Sequence, residues 1–364
     1  MDSHSNRISS IPSLMIIVLS TAAFSGCIGE INGPDGETRT VKDMLGRDVE
    51  IPVDVEGVVG IEAGALRMLV YMEAQEMVVG VEEIESRENV AGGAEKPYII
   101  ANPELKELQQ IGPMHGGDAE LILESDPDVI LWTYTTAKDA DDLQEKTGIP
   151  VIGLQYGDLN QGKETFYDAL RLVGNVTGKE ERAEYLIDYI EDTMRDLRER
   201  TEDIPSTMEA YVGGIGYKGA HGILSTEPAY TSFSLVNVDN VASGIGLEHA
   251  FIDQEQLLEW DPEHIFVDEG GYSITVDDLG DSAYGIIEAV EENRIYGVLP
   301  YNWYTINYGT VLANSYYIGA VLYPDRFSDI DPGEKADEIY TEMVGGNAYY
   351  EMSDHFGGFK KIVE

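Results

Sequence analysis

A twelve-residue phrase that occurs twice constrains this chain more than any other feature. Glu120-Leu-Ile-Leu-Glu124-Ser-Asp126-Pro127-Asp128-Val-Ile130-Leu131 returns 135 residues later as Glu255-Gln-Leu-Leu-Glu259-Trp-Asp261-Pro262-Glu263-His-Ile265-Phe266. Aligned without gaps, the copies share Glu, Leu, Glu, Asp, Pro and Ile, with Asp128 facing Glu263. The leucines suit a short helix, Asp-Pro stops it because proline cannot continue a helix, and the apolar run that follows reads as a buried strand. A helix–turn–strand unit used once in each half predicts two lobes of like construction.

Between the copies lies Lys179 to Arg200, free of Gly and Pro, preceded by Asn175, Thr177 and Gly178 and followed by Ile204-Pro205. Its Ala183, Leu186, Ile187, Ile190, Met194 and Leu197 recur at steps of three and four, one stripe of an α-helix. At 1.5 Å per residue it would span roughly 30 Å, enough for a strut between lobes. Elsewhere apolar strands alternate with helices: Val55 to Ile61 as strand, Ala65 to Glu76 as helix, Met77 to Val81 as strand, Ala283 to Glu292 as helix. The expected fold class is therefore α/β, two lobes with mostly parallel sheets joined by one long inter-lobe α-helix. Residues 41–162 form the first lobe, 163–204 the connecting helices including 179–200, and 205–364 the second lobe with a terminal helix.

The N-terminus bears on location. Ile11 to Phe24 is apolar and uncharged, too short to span a bilayer well, and leads through Ser25-Gly26 into Cys27, the one cysteine of the chain. Residues 1–27 resemble a lipoprotein signal, in which Cys27 becomes the lipidated first residue; an uncleaved anchor is the alternative. Residues 28–40, with Gly29, Gly33, Pro34 and Gly36, read as a flexible tether. Either way the fold is placed on the extracytoplasmic face of the membrane. With 68 acidic against 23 basic residues the formal charge is −45. No basic stripe is left to meet phosphates, which excludes nucleic acid as a partner. Such acidity suits a chain kept soluble in high salt.

Three loops suit a small ligand. Ile111 to Asp118 holds three glycines, a proline, Met114 and His115, between predicted elements where α/β folds place ligands. Gly213 to Gly222 carries five glycines with Tyr217, Lys218 and His221 projecting, and matches neither GxGxxG nor GxxxxGK[ST]. Leu299 to Gly309 gathers Tyr301, Trp303, Tyr304 and Tyr308, large stiff surfaces that either face a bulky ligand or cap the second lobe's core. The sequence has no HExxH, no CxxC pair and no GxSxG, so no catalytic set, metal-ligand set or resident cofactor is predicted.

From about Val41 onward the chain resembles the solute-binding proteins of ABC importers for iron chelates, haem and corrinoids. The marks are Asp43-Met-Leu-Gly46-Arg47-Asp-Val-Glu-Ile51-Pro52, the two copies of the repeated phrase, and Thr147-Gly148-Ile149-Pro150-Val151. The resemblance implies two α/β lobes on a rigid helix and a ligand cleft between them. It implies permease docking through one glutamate per lobe, Glu120 and Glu255, and ligand contacts from Met114, His115, Tyr217, Lys218, His221, Tyr301, Trp303, Tyr304 and Tyr308. The expected partners are the permease with its ATPase, a metal-chelate ligand of iron-siderophore, haem or corrinoid type, and the membrane through Cys27; the protein is expected to be a monomer. One departure stands out: members that hold anionic ferric siderophores often use cleft arginines, and none of the twelve arginines lies in these loops. The alternative function is a surface-anchored metal-dependent hydrolase or ligand sensor using the same cleft.

Overall fold

The computed structural model describes residues 37–86, 96–204 and 208–362. It opens with a hairpin in which β1 (Thr38–Lys42) pairs antiparallel with β2 (Asp48–Pro52). The expected tether is therefore too long at its end: residues 38–40 are strand, because β2 satisfies their backbone, and the Arg39 guanidinium donates to Asn175 Oδ1 at 2.8 Å. Residues 1–36, which include Cys27 and the rest of the tether, lie outside the described residues, as does Pro205.

The first lobe runs β3 (Val58–Ile61), α1 (Ala65–Tyr71), β4 (Val78–Gly80), α2 (Glu83–Ser86), α3 (Pro97–Ala101), α4 (Ala119–Glu124), β5 (Val129–Thr133), α5 (Ala137–Thr147) and β6 (Val151–Leu154). Its sheet has the order β4-β3-β5-β6 and is parallel throughout. Two helices follow, α6 (Lys163–Thr177) and α7 (Glu180–Glu199). The second lobe runs β7 (Met208–Gly213), β8 (Ser225–Thr226), α8 (Thr231–Ser234), β9 (Val238–Asn240), β10 (Ala250–Phe251), α9 (Gln254–Trp260), β11 (Ile265–Asp268), α10 (Tyr272–Leu279), α11 (Glu288–Glu291) and β12 (Ile295–Val298). Then come α12 (Tyr308–Leu322), α13 (Pro332–Val344), α14 (Tyr349–Phe356) and β13 (Lys360–Lys361). The second sheet, β13-β12-β11-β7-β9, is parallel except for β13, which returns antiparallel to β12.

Both sheets are covered on both faces, and the period of two along each strand sorts side chains between layers. Val58, Val129, Leu131 and Ile152 point one way, into a cluster that continues through Leu186, Ile190 and Met194 of α7 to Val212, Phe266 and Val298 of the second sheet. Val59, Ile61, Ile130 and Val151 point the other way, onto Ile122 and Ala140. In the second lobe Tyr211, Ile265 and Val267 do the same onto Leu257 and Ile287. The shared inner cluster makes α7 a central pillar of packed core. Its buried stripe is the predicted one with Thr193 added.

The repeated phrase has one structure in both lobes. Asp118 caps α4 by accepting from the Glu120 and Leu121 amides, and Asp253 caps α9 by accepting from Gln256. Glu120 and Glu255 are each the second residue of their helix, exposed, in the turn where the helix dipole favours an acid. Asp126 and Asp261 both take the left-handed conformation (φ 51° and 43°) that ends the helix before proline. Two expectations fail here. The helix expected over Ala65 to Glu76 stops at Tyr71, and Glu73 turns left-handed at φ 53°. The helix expected over Ala283 to Glu292 is broken at Ile287, which lies buried and extended in the core while Asp261 Oδ1 takes the Glu288 amide at 2.8 Å. Tertiary burial overrides local propensity at that point.

The lobes are joined by α7, and they also touch directly. Helices α13 and α14 of the second lobe pack on α3 of the first, and α13 reaches α1 as well. Asn102 donates to the Val344 carbonyl at 3.0 Å, and Arg182 of α7 donates to the carbonyls of Tyr71 and Glu342, one from each lobe. At the far end of α7, Arg200 grips Asp329 with both arms of its fork at 2.7 and 3.0 Å.

Candidate functional site

The loops after β7 and β12 and the turn before α4 meet between the lobes. They enclose a cavity of about 580 Å³ lined by Ala63, Ile84, Met114 and His115 from the first lobe. From the second lobe come Gly216, Tyr217, Lys218, Gly219, Asn302, Trp303, Tyr304 and Thr305. Six of the nine nominated ligand residues therefore share one wall system: Met114, His115, Tyr217, Lys218, Trp303 and Tyr304. Lys218 lies over the Tyr217 ring at 5.5 Å and is the one lining lysine or arginine.

The other three are elsewhere. His221 does not line the cavity; its Nε2 bonds the Tyr217 carbonyl at 2.7 Å and its ring meets Phe251 edge-on. Tyr301 is 6 % exposed and lines a separate cavity of about 340 Å³ with Asp158, Gln161, Glu227 and His249. There its hydroxyl meets Glu227, whose carboxyl burial pushes up to about 7. Tyr308 is fully buried: its ring stacks on Phe166 at 3.8 Å and its hydroxyl donates to the Tyr156 and Gly157 carbonyls. It is core, packed on Tyr71, Tyr156 and Phe166 rather than capping the second lobe, and does not line the inter-lobe cavity.

The segment 302–306 belongs to the second lobe by sequence but is held by the first. Arg67, in the middle of α1 and 1 % exposed, donates to the carbonyls of Ile306 at 2.7 Å, Trp303 at 2.9 Å and Tyr304 at 3.1 Å, and to the Tyr156 hydroxyl. The Tyr304 hydroxyl donates to Glu82 Oε2 at 2.7 Å and accepts from the His115 amide at 3.2 Å, and Tyr134 bonds Thr305 at 2.7 Å. Glu82 also takes the amides of Gly116 and Glu62, while burial pushes its carboxyl upward against those bonds. His115 Nδ1 meets Glu62. Gly64, at φ 86°, permits the approach, since a Cβ there would stand 2.2 Å from the Tyr156 ring and 2.8 Å from Thr305.

Eleven described residues other than glycine have positive φ, and six of them stand in or beside this wall: Glu62, His115, Tyr134, Lys218, Tyr304 and Thr305. Held backbone strain concentrates at ligand sites because the surroundings must over-determine it. Sequence reading passed over Arg67, Glu62 and Glu82. For Arg67 a signal existed: one charge inside Ala65-Leu-Arg-Met-Leu-Val-Tyr71, a helix whose seven residues are all buried. Glu62 and Glu82 carried none in a chain with 68 acids. Among the described residues no three His, Cys, Asp or Glu side chains converge on a metal position, and no helix is long and apolar enough to cross a membrane.

Comparison with known proteins identifies the family and the fold. Residues 58–300 match the family model described as periplasmic binding protein. The molybdate-binding protein MolA of Haemophilus influenzae is 24% identical over 337 residues, covering 84% of this chain and 90% of MolA. An uncharacterized ABC transporter substrate-binding lipoprotein of Bacillus subtilis, YvrC, is 19% identical over 331 residues, 86% of this chain and 97% of that one. The structure of MolA bound to molybdate superposes with a TM-score of 0.67 at 20% identity, over 85% of this chain and 98% of MolA. That of Helicobacter pylori CeuE in complex with Ni-His gives 0.60 at 15%, over 88% and 99%. The alternative of a metal-dependent hydrolase falls away with this match, and the chain belongs to the periplasmic binding protein family, as a solute-binding protein of the ABC-importer type.

Proposed function

We propose that this protein captures a metal chelate outside the cell membrane and delivers it to an ABC permease and its ATPase. The observation that carries the reading is the inter-lobe cavity: about 580 Å³, walled by Trp303, Tyr304, Tyr217 and Met114. That is the size and chemistry of a site for an organic ligand of many atoms. The lone Lys218 and the chain's charge of −45 favour a neutral or cationic chelate over a strongly anionic one. An iron-siderophore, a haem or a corrinoid each has the bulk required. A bare oxyanion, as in MolA, is the second reading, favoured by that similarity and by Lys218. It would leave most of the cavity to water.

Trp303 gives the test. Haemin, a ferric siderophore, cobalamin, nickel–histidine and molybdate are titrated against intrinsic fluorescence, with Trp303→Leu as control. One of the chelates should quench at micromolar concentration, and Trp303→Leu should weaken it about tenfold, the loss of one large aromatic contact. A response to molybdate alone overturns the chelate reading.

Glu120 and Glu255, exposed at matching helix starts, are proposed as the two docking points for a permease of two-fold symmetry. Cys27 is proposed as the lipidated residue; incorporation of an alkyne palmitate in the wild type and not in Cys27→Ala is the expected result. The monomeric state rests on the same reading, and sedimentation of the soluble part tests it.

A further inference from the structure

The cavity wall supplied by the second lobe is shaped from beneath by the first. We propose that Arg67 is the positioning residue of the ligand site: it fixes the path of 302–306 and thereby sets which ligands the cavity admits. The proposal rests on the reading of the inter-lobe cavity as the solute site, and its own readout does not.

Arg67 touches no ligand position, being buried and absent from the lining. It acts on what does line the cavity. Trp303 and Tyr304 present side chains to the ligand and carbonyls to Arg67, so the guanidinium orients the two residues that dominate the wall. The third carbonyl, Ile306, closes the grip on the far side of Thr305. Between these anchors Tyr304 and Thr305 sit at φ 47° and 65°, conformations that residues with side chains rarely keep without outside support. Within the segment's own neighbourhood, Asn307 Nδ2 approaches the Tyr301 and Trp303 carbonyls only at 3.2 and 3.4 Å. The Asn307 amide closes the segment's base on the Tyr301 carbonyl at 2.7 Å, while the Trp303, Tyr304 and Ile306 carbonyls take bonds of 2.7–3.1 Å from across the cleft.

Only a planar fork can meet these acceptors together. One guanidinium nitrogen serves Tyr156 and Ile306, the other Trp303 and Tyr304. A lysine ammonium is a single point with three donors and cannot span them. Arg67 is itself held: its guanidinium lies 4.9 Å from the Tyr98 ring centre. That anchors the fork to the first lobe, so the segment takes its shape from α1 and its neighbours.

The test uses the full chain labelled with 5-fluorotryptophan. Its three tryptophans, Trp132, Trp260 and Trp303, give three fluorine resonances, assigned by single replacements. Trp260 lies in α9, packed on the outer core of the second lobe, and reports general misfolding. In ligand-free Arg67→Lys the Trp303 resonance should shift and broaden while that of Trp260 stays in place. Tyr156→Phe, which keeps the fork and removes the hydroxyl that accepts from Arg67 and itself donates to the Ile306 carbonyl at 2.8 Å, should move Trp303 less. The affinity of whichever probe binds the wild type, among haemin, nickel–histidine and molybdate, should fall about tenfold in Arg67→Lys, as expected for losing charge-assisted bonds that shape the wall.

An unmoved Trp303 resonance in Arg67→Lys overturns the proposal, as does an unchanged affinity in that variant for a probe that binds the wild type. If no probe binds the wild type, the chelate reading fails while the fluorine spectra still decide the role of Arg67. Should Arg67→Lys not fold, Trp260 will show it, and Arg67→Gln, which keeps a planar head with two donors and loses the rest of the fork, then carries the decision with the same expected shift of Trp303.

Discussion

Asp268 offers a test of the second lobe's electrostatics in which the sign is unambiguous. It ends β11 at 2 % exposure, with Oδ1 accepting from the Gly270 amide at 2.9 Å. Burial pushes its carboxyl from 3.8 to about 7, against the pull of the Gly270 and Tyr301 amides. A carboxyl raised in the folded state keeps its proton where the unfolded chain has lost it. Its charge therefore costs stability above pH 7, and the cost fades as pH falls through 7 toward 4. A rise of about three units at roughly 1.4 kcal/mol each gives a cost of about 4 kcal/mol at pH 8. Asp268→Asn removes the charge and keeps Oδ1, but its amide hydrogens need acceptors in a buried site, which returns about 1–3 kcal/mol. The variant should thus be about 1–3 kcal/mol more stable than wild type at pH 8, and equal or less stable at pH 5. Urea unfolding at both pH values measures this, with the m-value as a check on the two states. Glu227 titrates in both proteins, whereas Glu269, raised to about 8 by burial and in part by the Asp268 charge against the pull of Lys360, is eased in the variant too, so the difference reports the Asp268–Glu269 pair. A loss of the same size at both pH values would refute the reasoning, since it would mean that the carboxylate is a needed ionic partner.

The remaining predictions follow from single contacts. Tyr304→Phe breaks the bond to Glu82 and should cost about 1.5–3 kcal/mol in thermal or urea unfolding. In a cycle with Glu82→Gln the two losses should not add, because they share one contact. Tyr308→Phe keeps the stack on Phe166 and strands two carbonyls, for about 1–3 kcal/mol, whereas Tyr308→Ala empties a core site and should cost about 3–5 kcal/mol. Reversing Glu120 and Glu255 to Lys should abolish uptake in cells and leave ligand affinity in vitro unchanged; a fall in affinity would place them in the cleft instead. Solution scattering with and without a bound probe should show no large closure, because α7, α13 and the 302–306 segment cross between lobes already.

How much of this was legible in the residues follows the range of the physics. Periodicity is local, so the α7 stripe, β3 and β4, and the repeated helix–turn–strand phrase with β5 and β11 could be read directly, whereas β9, β12 and β13 of the second sheet were not. Asp-Pro and the capping aspartates act within a few residues, and both copies fold as their spacing implies. Glycine and aromatic content marked the three loops, and six nominated side chains do line one cavity. Tyr308 shows the limit: its neighbours in sequence gave it the look of a site residue, and only Phe166 and Tyr156, some 140 to 150 positions away, make it core. Ile287 shows the same for secondary structure, since its burial against another element broke a helix that local propensity allowed.

The sequence by itself therefore determined two α/β lobes, a connecting helix and the loops between which a ligand would lie, because each depends on contacts within a few turns of chain. Tertiary structure alone decided that the cavity wall of the second lobe hangs on an arginine of the first, 236 to 239 positions apart. That assignment depends on which carbonyls come within 3 Å of a buried guanidinium, and no periodicity along the chain records it.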